Sequence, residues 1–229
     1  PAIESAVRGA HADGAILHSP GDYLYVVDDN RSYNKINPYV HEWASYHVAI
    51  QSNLWLDSTL AIHYYVAPSP PDLEGFGPGY GSWGTKHDYQ DFVRVYVPAR
   101  AVLQSASGWQ RWAPTAAYGL TQFAGRVLVR KGQSRTVTLR YRVLANVFGG
   151  ADFERYNLTV QRQPGANLSR LHIIVRGLGG VEVAGKHGPP SSLFGSTLLL
   201  NRETTLDLAV RGAGRPQTVV TPSQPGSSC

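Results

Sequence analysis

Histidine side chains are the first groups in this chain that could bind a metal ion, and their spacing argues against a metal centre. Eight histidines are spread over the 229 residues. His41, His47 and His63 fall on or near predicted strands, and no two of them are one helical turn apart, as on a helical metal-binding face. The sequence therefore predicts ordinary polar or buried histidines, with no metal ligands and no cofactor.

Asp28, Asp29 and Asn30 follow a short apolar segment and could offer oxygen ligands to calcium. No further acidic residue follows at the spacing of a known calcium-binding loop. Asp and Asn side chains also hydrogen-bond their own backbone where a chain turns. We therefore interpret these residues as a turn that ends a strand.

Nucleophilic catalysis is not indicated either. The segment 79–84 places a serine between glycines, but it lies in the loop 68–84, which is rich in proline and glycine, and not at the strand-to-helix turn of a hydrolase. It also lacks the Lys-Ser/Thr pair of a phosphate-binding loop. Folding could still bring together two carboxylates for glycoside hydrolysis, but no motif marks them, and the sequence predicts a protein that is not an enzyme.

Aromatic residues in loop-like segments are better candidates for ligand contact. Aromatic rings stack on the apolar faces of sugars, so we name four residues as candidate glycan contacts: Tyr80, Trp83, Trp109 and Trp112. The alternative is that these rings close the ends of a β-sandwich core. Asn157 and Asn167 each begin an N-x-S/T sequence and are candidate glycosylation sites.

The single cysteine, Cys229, cannot form a disulfide within the chain. It is either the end of a flexible tail or the site of an intermolecular crosslink. No apolar run approaches the length of a membrane span. Any signal sequence or anchor is expected upstream of Pro1.

Charge is sparse and uneven. Charged residues make up 16% of the chain, against about 25% in an average globular protein. The whole excess of +5 falls in residues 155–229, where eight Arg and Lys face three acids. These basic residues are spread singly, so nucleic acid is not a predicted partner. We interpret them as a solvated basic face; the alternative is a site for a polyanion such as an acidic glycan or cell wall.

Strand signals dominate the chain after a short predicted helix at residues 2–12. Alternating apolar residues predict strands at 46–50, 54–66, 92–97, 120–129 and 136–144, the last two as a hairpin around the turn 132–134. The pattern restarts after the segment 146–152. We therefore predict an all-β fold with two β-sandwich-like domains in tandem: an N-terminal arm at 1–15, a first domain at 16–150, a smaller basic domain at 151–211 and a flexible tail at 212–229.

Several short blocks resemble one known family in the right order. They read GDYLYVVDDN at 21–30, YNKIN at 33–37, YHVAI at 46–50, DFVRVYVP at 91–98 and KGQSRTVTLRY at 131–141. Over residues 14–145 the chain resembles the C-terminal region of the bacterial family called domain of unknown function 4012. Arg100 stands where that family often has glycine, and the family's large N-terminal portion and membrane anchor have no counterpart here. The resemblance implies an exported, envelope-associated protein and no particular reaction.

Two hypotheses for function follow. The first is a non-enzymatic, extracellular or cell-surface structural protein, a subunit of a fibre or layer assembled by β-strand pairing through its terminal segments. The alternative is a carbohydrate- or cell-wall-binding module.

Overall fold

The computed structural model describes residues 2–9, 14–17, 19–32, 36–68, 88–145 and 154–213. The all-β class is confirmed, and the only helix longer than one turn in these ranges is α1, Ala2–Gly9, inside the predicted helix at 2–12. No helix among the described residues is long and apolar enough to cross a lipid bilayer.

Within the described ranges fourteen strands follow the helix, with a 3-10 turn at Asn37–Tyr39 before the second strand. Their bounds are β1 Asp22–Val27, β2 Val40–Ile50, β3 Trp55–Val66, β4 Tyr89–Val97, β5 Val102–Ser107, β6 Gln110–Arg111, β7 Thr115–Ala117, β8 Leu120–Val129, β9 Ser134–Leu144, β10 Arg155–Gln161, β11 Leu168–Gly177, β12 Glu182–Ala184, β13 Leu193–Leu199 and β14 Thr204–Arg211.

The strands form two mixed sheets that pack face to face. The larger sheet has the order β12-β14-β10-β1-β4-β8-β6, with β7 paired to β8, and the six-stranded sheet has the order β13-β11-β2-β3-β9-β5. In β3 every second residue is buried, so that Leu60 and Ile62 face the other sheet while their neighbours face outward. This alternation is what a strand with one buried face requires.

The predicted domains at 16–150 and 151–211 share both sheets and one core. β10 pairs in parallel with β1, and β11 pairs in parallel with β2, so the later strands extend sheets that the earlier strands begin. Leu60 and Leu171, from the two sides of the segment 146–153, lie in the same buried cluster. Residues 155–211 therefore do not form a separate sandwich. Alternation predicts which residues face a core, but it does not predict which strand a segment joins.

The predicted hairpin at 120–144 is wrong in its pairing. Both strands are present, but β8 pairs with β4 in the larger sheet and β9 pairs with β3 in the six-stranded sheet. The turn crosses between the sheets and is tied to β3, because the N–H of Gly132 donates to the carbonyl of Val66 at 3.0 Å. A glycine-containing turn between two amphipathic strands fits an arch between sheets as well as a hairpin.

Arg100 lies in the left-handed region, with a φ of 62°. Glycine adopts this conformation without steric cost, whereas other residues are strained there. The backbone at this position therefore suits the glycine that the resembled family often carries.

Candidate functional site

Two of the four aromatic residues predicted from the sequence to contact glycans fall within the described residues. Trp109 packs against the core and Trp112 approaches Arg126 on the outer face of the larger sheet, whereas Tyr80 and Trp83 lie outside the described residues, as does Cys229.

Trp109 closes a corner of the larger sheet. Its ring lies directly over Gly125, where an added Cβ would be only 2.7 Å from the indole. The indole Nε1 is buried without a hydrogen-bond partner. The ring borders a shallow cavity of about 300 Å³ together with Arg126 and Arg135. Because the indole is committed to packing, it offers little surface to a ligand.

Trp112 is 42% exposed and has two close neighbours. Phe92 meets it edge-on with centroids 5.1 Å apart. The Arg126 guanidinium lies 5.4 Å from its centroid, within the range of a cation–π contact. Trp109, which packs against the core, fits the alternative that the loop aromatics close the sandwich, whereas Trp112 packs on the outer face of the larger sheet.

The two candidate glycosylation residues lie in different settings. Asn157 is half-buried within β10, opposite Asp207 of β14, and Thr159 of its motif is buried and hydrogen-bonds Ser19. The Asn167 side chain donates to the carbonyl of Asn37 just before β11. Asn157 is thus held in a paired strand, and Asn167 orients part of the cleft described next.

A cleft of about 420 Å³ opens on the six-stranded sheet where β2 and β11 run in parallel. The pairing slips between Leu168 and Leu171, which is a bulge that places both Ser169 and Arg170 toward solvent. The cleft is lined by Val40, His41, Glu42, Trp43, Asn167, Ser169, Arg170 and His172. We call this group the β2–β11 cleft.

Trp43 forms an aromatic platform at the β2–β11 cleft. Its side chain is 39% exposed because it occupies an outward position of β2, between the buried Glu42 and Ala44. It stands opposite His63 of β3, and the two rings stack with centroids 5.2 Å apart and planes 13° apart. Burial lowers the pKa of His63, which favours a neutral ring whose Nδ1 lies 2.9 Å from Thr136 Oγ1.

Polar side chains surround this platform. His172 Nδ1 lies 2.9 Å from Thr197 Oγ1 of β13, which fixes the imidazole at the cleft. Ser169 and Arg170 are exposed, and His41 stacks on Tyr65 with centroids 5.9 Å apart. The cleft therefore combines one flat apolar surface with several hydrogen-bonding groups, as ligand sites commonly do.

Glu42 borders the β2–β11 cleft, but its side chain lies on the core side of β2 and belongs to a buried group of three carboxyls. It occupies a core-facing position of β2, as Asp91 does in β4, and Asp28 follows β1. Asp28 lies within hydrogen-bonding reach of both, and Tyr64 donates to Asp28 Oδ1 at 2.9 Å. We call these three residues the carboxyl cluster.

Burial favours the protonated form of two of the three carboxyls, Glu42 and Asp91. It raises the pKa of Glu42 and of Asp91 well above the ordinary range, and the nearby Asp28 raises both further. Among the described residues no three His, Cys, Asp or Glu side chains are arranged to hold a metal ion. We therefore interpret the cluster as held together by protons that Glu42 and Asp91 donate to Asp28.

Another buried carboxyl, that of Asp22, lies apart from the carboxyl cluster. Asp22 is fully buried and accepts hydrogen bonds at Oδ2 from the hydroxyls of Tyr46, at 2.8 Å, and Tyr156, at 2.6 Å. Its Oδ1 accepts from the N–H of Tyr23 at 2.8 Å. Burial raises the pKa of Asp22 to about 6, although these hydrogen bonds oppose the shift. No residue of this network faces the β2–β11 cleft, so we assign it to the core.

The sequence analysis missed Trp43, Arg170 and His172. A signal existed for Trp43, because it lies one residue out of phase with the predicted buried face of Tyr46, Val48 and Ile50, and therefore points outward. The parallel pairing and the bulge that bring Arg170 beside it leave no local signal, since their partners are more than a hundred residues apart.

Comparison with known proteins gives only distant structural likenesses. No protein-family model matches the chain, and no curated protein is significantly similar to it. A protein from Legionella pneumophila described as a "putative nutrient binding protein" is 8% identical with a TM-score of 0.45, covering 83% of this chain and 71% of that one. Yeast LTA4 hydrolase is 5% identical with a TM-score of 0.36, covering 79% of this chain and 30% of that one. An M1 zinc metallopeptidase from Deinococcus radiodurans is 9% identical with a TM-score of 0.31, covering 75% and 42%. None of these likenesses supports the transfer of a function.

Proposed function

We propose that this chain is a non-catalytic carbohydrate-binding domain that works at the cell surface or outside the cell. The observation that carries the proposal is the exposed ring of Trp43, held flat against His63 beside a polar cleft. A sugar ring has apolar faces of C–H groups that stack on an indole, while its hydroxyl groups stay free for hydrogen bonds. A pre-ordered platform also lowers the entropy lost on binding.

The groups beside the platform suit sugar hydroxyls. Ser169 can donate and accept, Arg170 donates only, and His172 donates or accepts according to its tautomer. All three lie on β11, beside the strand that carries Trp43. A sugar stacked on the indole would therefore meet hydrogen-bonding groups along one edge.

The carboxylates of this sheet support a non-catalytic role. Among the described strands of the six-stranded sheet, Asp57 is the only carboxylate on the outer face, and it is paired with Arg142 at 2.9 Å. Glu42 is only 6% exposed. Glycoside hydrolysis uses two carboxyls on opposite sides of the scissile bond, and this arrangement does not offer them to the cleft.

Replacing Trp43 with Ala is expected to weaken glycan binding by a factor of about ten to a hundred, because truncation of a central aromatic contact commonly costs that much. The ligand is first selected on a glycan array, and the affinity is then measured by isothermal titration calorimetry. Trp43→Phe should retain part of the affinity, since it keeps an aromatic face.

Trp112→Ala is the matched control, because it removes an exposed indole from the other sheet. It should leave the affinity unchanged. An array without any bound glycan, or a loss of affinity in Trp112→Ala but not in Trp43→Ala, would show that the β2–β11 cleft is not a carbohydrate site.

A second candidate function is self-association into a layer or fibre, and the edges of the six-stranded sheet favour it. The two edge strands, β5 and β13, contain no charged residue or proline. Leu193 and Leu199 of β13 are 50% and 65% exposed. Soluble proteins usually protect such edges with charges or prolines. Of the terminal segments expected from the sequence to pair between subunits, the N-terminal one is described at 2–9, as α1, and at 14–15, whereas the C-terminal one lies outside the described residues beyond 213.

Replacing Leu199 with Lys is expected to prevent this association, because a charge on the edge strand opposes pairing with a second copy. Light scattering over a range of protein concentrations measures the effect, and electron microscopy shows whether ordered particles form. Tyr118→Lys adds the same charge to an exposed turn of the other sheet and should change nothing. Association that persists in Leu199→Lys would rule out pairing through β13.

A further inference from the structure

The outer face of the six-stranded sheet carries an excess of positive charge. It displays Arg140 and Arg142 on β9, and Arg170 and Arg176 on β11. Asp57 is the only opposing carboxylate on this face within the described strands. Its Oδ1 accepts from Nε and Nη2 of Arg142, at 3.0 and 2.9 Å. We call the exposed surface that bears these four arginines the basic face.

Three arginines of the basic face keep their charge available. Arg140, Arg170 and Arg176 are exposed, and no carboxylate of the described residues lies within ion-pairing distance of them. Each guanidinium carries a positive charge and several N–H donors, so these side chains attract anions. The buried Glu42 does not oppose this attraction where its raised pKa keeps it protonated.

The pairing register fixes the spacing of these charges. Arg176, Ala49, Asp57 and Arg142 lie opposite one another on successive strands. Three strand spacings separate Arg176 from Arg142, which is about 14 Å. Arg170 lies six residues before Arg176 on β11, or about 20 Å along the strand. The three arginines without an ion pair, Arg140, Arg170 and Arg176, are therefore spread over the face, and outward histidine and threonine side chains such as His47, Thr59 and Thr138 lie between them.

Resting on the proposed function, we propose that the ligand of the β2–β11 cleft is an acidic polysaccharide whose chain continues across the basic face. Its anionic groups meet Arg176 and Arg140, its hydroxyl groups meet the polar side chains between them, and one sugar stacks on Trp43. Charge complementarity selects the acidic polymer over a neutral one.

The spacing of the charges also distinguishes this partner from nucleic acid. Duplex DNA carries one negative charge per about 1.7 Å of its axis, and proteins that bind it present clustered basic residues. The basic face has four arginines and no lysine; Arg142 is paired with Asp57, and the other three lie on two strands, apart from one another. A polymer with one anionic group per sugar unit or per few units matches this pattern better.

The test compares polygalacturonate, a carboxylated polysaccharide, with neutral dextran and with duplex DNA of similar length. The variant is Arg140→Ala/Arg176→Ala, measured by isothermal titration calorimetry at several salt concentrations. Its affinity for polygalacturonate should fall about tenfold, since each exposed ion pair that is lost weakens binding by a factor of a few. The dependence of affinity on salt should also weaken, because fewer counterions are released on binding.

Lys186→Ala/Arg211→Ala is the matched control, because it removes two exposed charges near one edge of the larger sheet. Equal losses in both double variants would overturn the proposal, and so would tighter binding of duplex DNA than of polygalacturonate. Binding of neutral glycans that depends on Trp43, without binding of polygalacturonate, would overturn this inference and leave the proposed function standing. Polygalacturonate binding that is insensitive to Trp43→Ala would instead overturn the proposed function.

Discussion

Replacing Asp22 with Asn is expected to make the stability of the fold less dependent on pH. The wild-type chain is expected to lose about 3 kcal/mol of its free energy of unfolding as the pH rises from about 4 to about 7, and the variant is expected not to show this loss. Asp22 is fully buried, and burial raises its pKa from 3.8 to about 6. A difference of about two pKa units corresponds to about 3 kcal/mol. Asn carries no charge over this range, so the variant lacks this contribution.

The direction of this pH dependence follows from which state, folded or unfolded, binds the Asp22 proton more tightly. The folded chain binds the Asp22 proton up to about pH 6, whereas the unfolded chain releases it near pH 3.8. Stability is therefore greatest below the unfolded value and falls as the pH rises through the folded value. Above that pH the fold contains a buried carboxylate, which the hydroxyls of Tyr46 and Tyr156 stabilise only in part.

Urea denaturation at pH 4, 5, 6 and 7, followed by tryptophan fluorescence, measures the effect as the difference between the two stability curves. In Asp22→Asn the new amide group faces the N–H of Tyr23 or the tyrosine hydroxyls, so the variant loses about one hydrogen bond at every pH. This cost shifts its curve without changing the slope. Parallel curves for wild type and Asp22→Asn would show that Asp22 titrates normally in the fold.

The faces of the strands could be predicted from the sequence because their cause is local. In β9 the residues Val137, Leu139, Tyr141 and Val143 are buried, as the alternation of apolar and polar residues predicts. The short helix and the all-β class follow from equally local signals. The position of each residue relative to the core is encoded within a few neighbours.

The partners of the strands could not be predicted in the same way. Leu24 pairs in register with Val160, and Ile173 pairs with Tyr46, so two parallel pairings join segments more than a hundred residues apart. Neither segment contains a feature that specifies the other. The hairpin prediction failed for the same reason, because a turn reports a change of direction but not the sheet to which each strand belongs.

The candidate site depends both on the face of a strand residue, which the local sequence predicts, and on the pairing of distant strands, which it does not. Trp43 is a strand position whose outward direction was predictable, but the cleft exists because β11 docks beside β2 with a bulge at Ser169 and Arg170. The four loop aromatics were predicted to contact glycans because they are aromatic residues in loop-like segments. The two that the structure describes, Trp109 and Trp112, are largely occupied by packing. The sequence therefore pointed to loop residues, whereas the aromatic ring beside the cleft, Trp43, lies on a regular strand.

The carboxyl cluster could be predicted in part from the sequence. Glu42 shares the core-facing phase of Tyr46 and Val48, and Asp91 shares that of Val93 and Val95. An acid at a core-facing position is rare unless it has a partner. Only the fold shows that these acids and Asp28 are partners for one another.

Replacing Asp91 with Asn is expected to extend the stability of the fold to more alkaline pH. Burial and the neighbouring Asp28 raise the pKa of Asp91 well above its ordinary range, so the folded chain keeps a proton that the unfolded chain has lost. Stability contributed by this proton is present at low pH and is lost as the pH rises through the raised value. The amide group of the Asp91→Asn variant can donate to Asp28 in place of the protonated acid and does not titrate. Urea midpoints of wild type and Asp91→Asn should therefore be similar at pH 5 and diverge in favour of the variant as the pH is raised toward 10.

Glu42→Gln should act in the same direction, because Glu42 is the other buried donor to Asp28. The double variant should be the least sensitive to alkali, with less than the sum of the two single effects, since the two acids share one partner. Glu182→Gln, at an exposed position of β12, is the control and should follow the wild type. If Asp91→Asn loses stability at every pH by the same amount, the cluster is not held by shared protons. If the Glu42→Gln variant is stable but the cleft no longer binds glycan, Glu42 and its partners also position the part of β2 that carries Trp43.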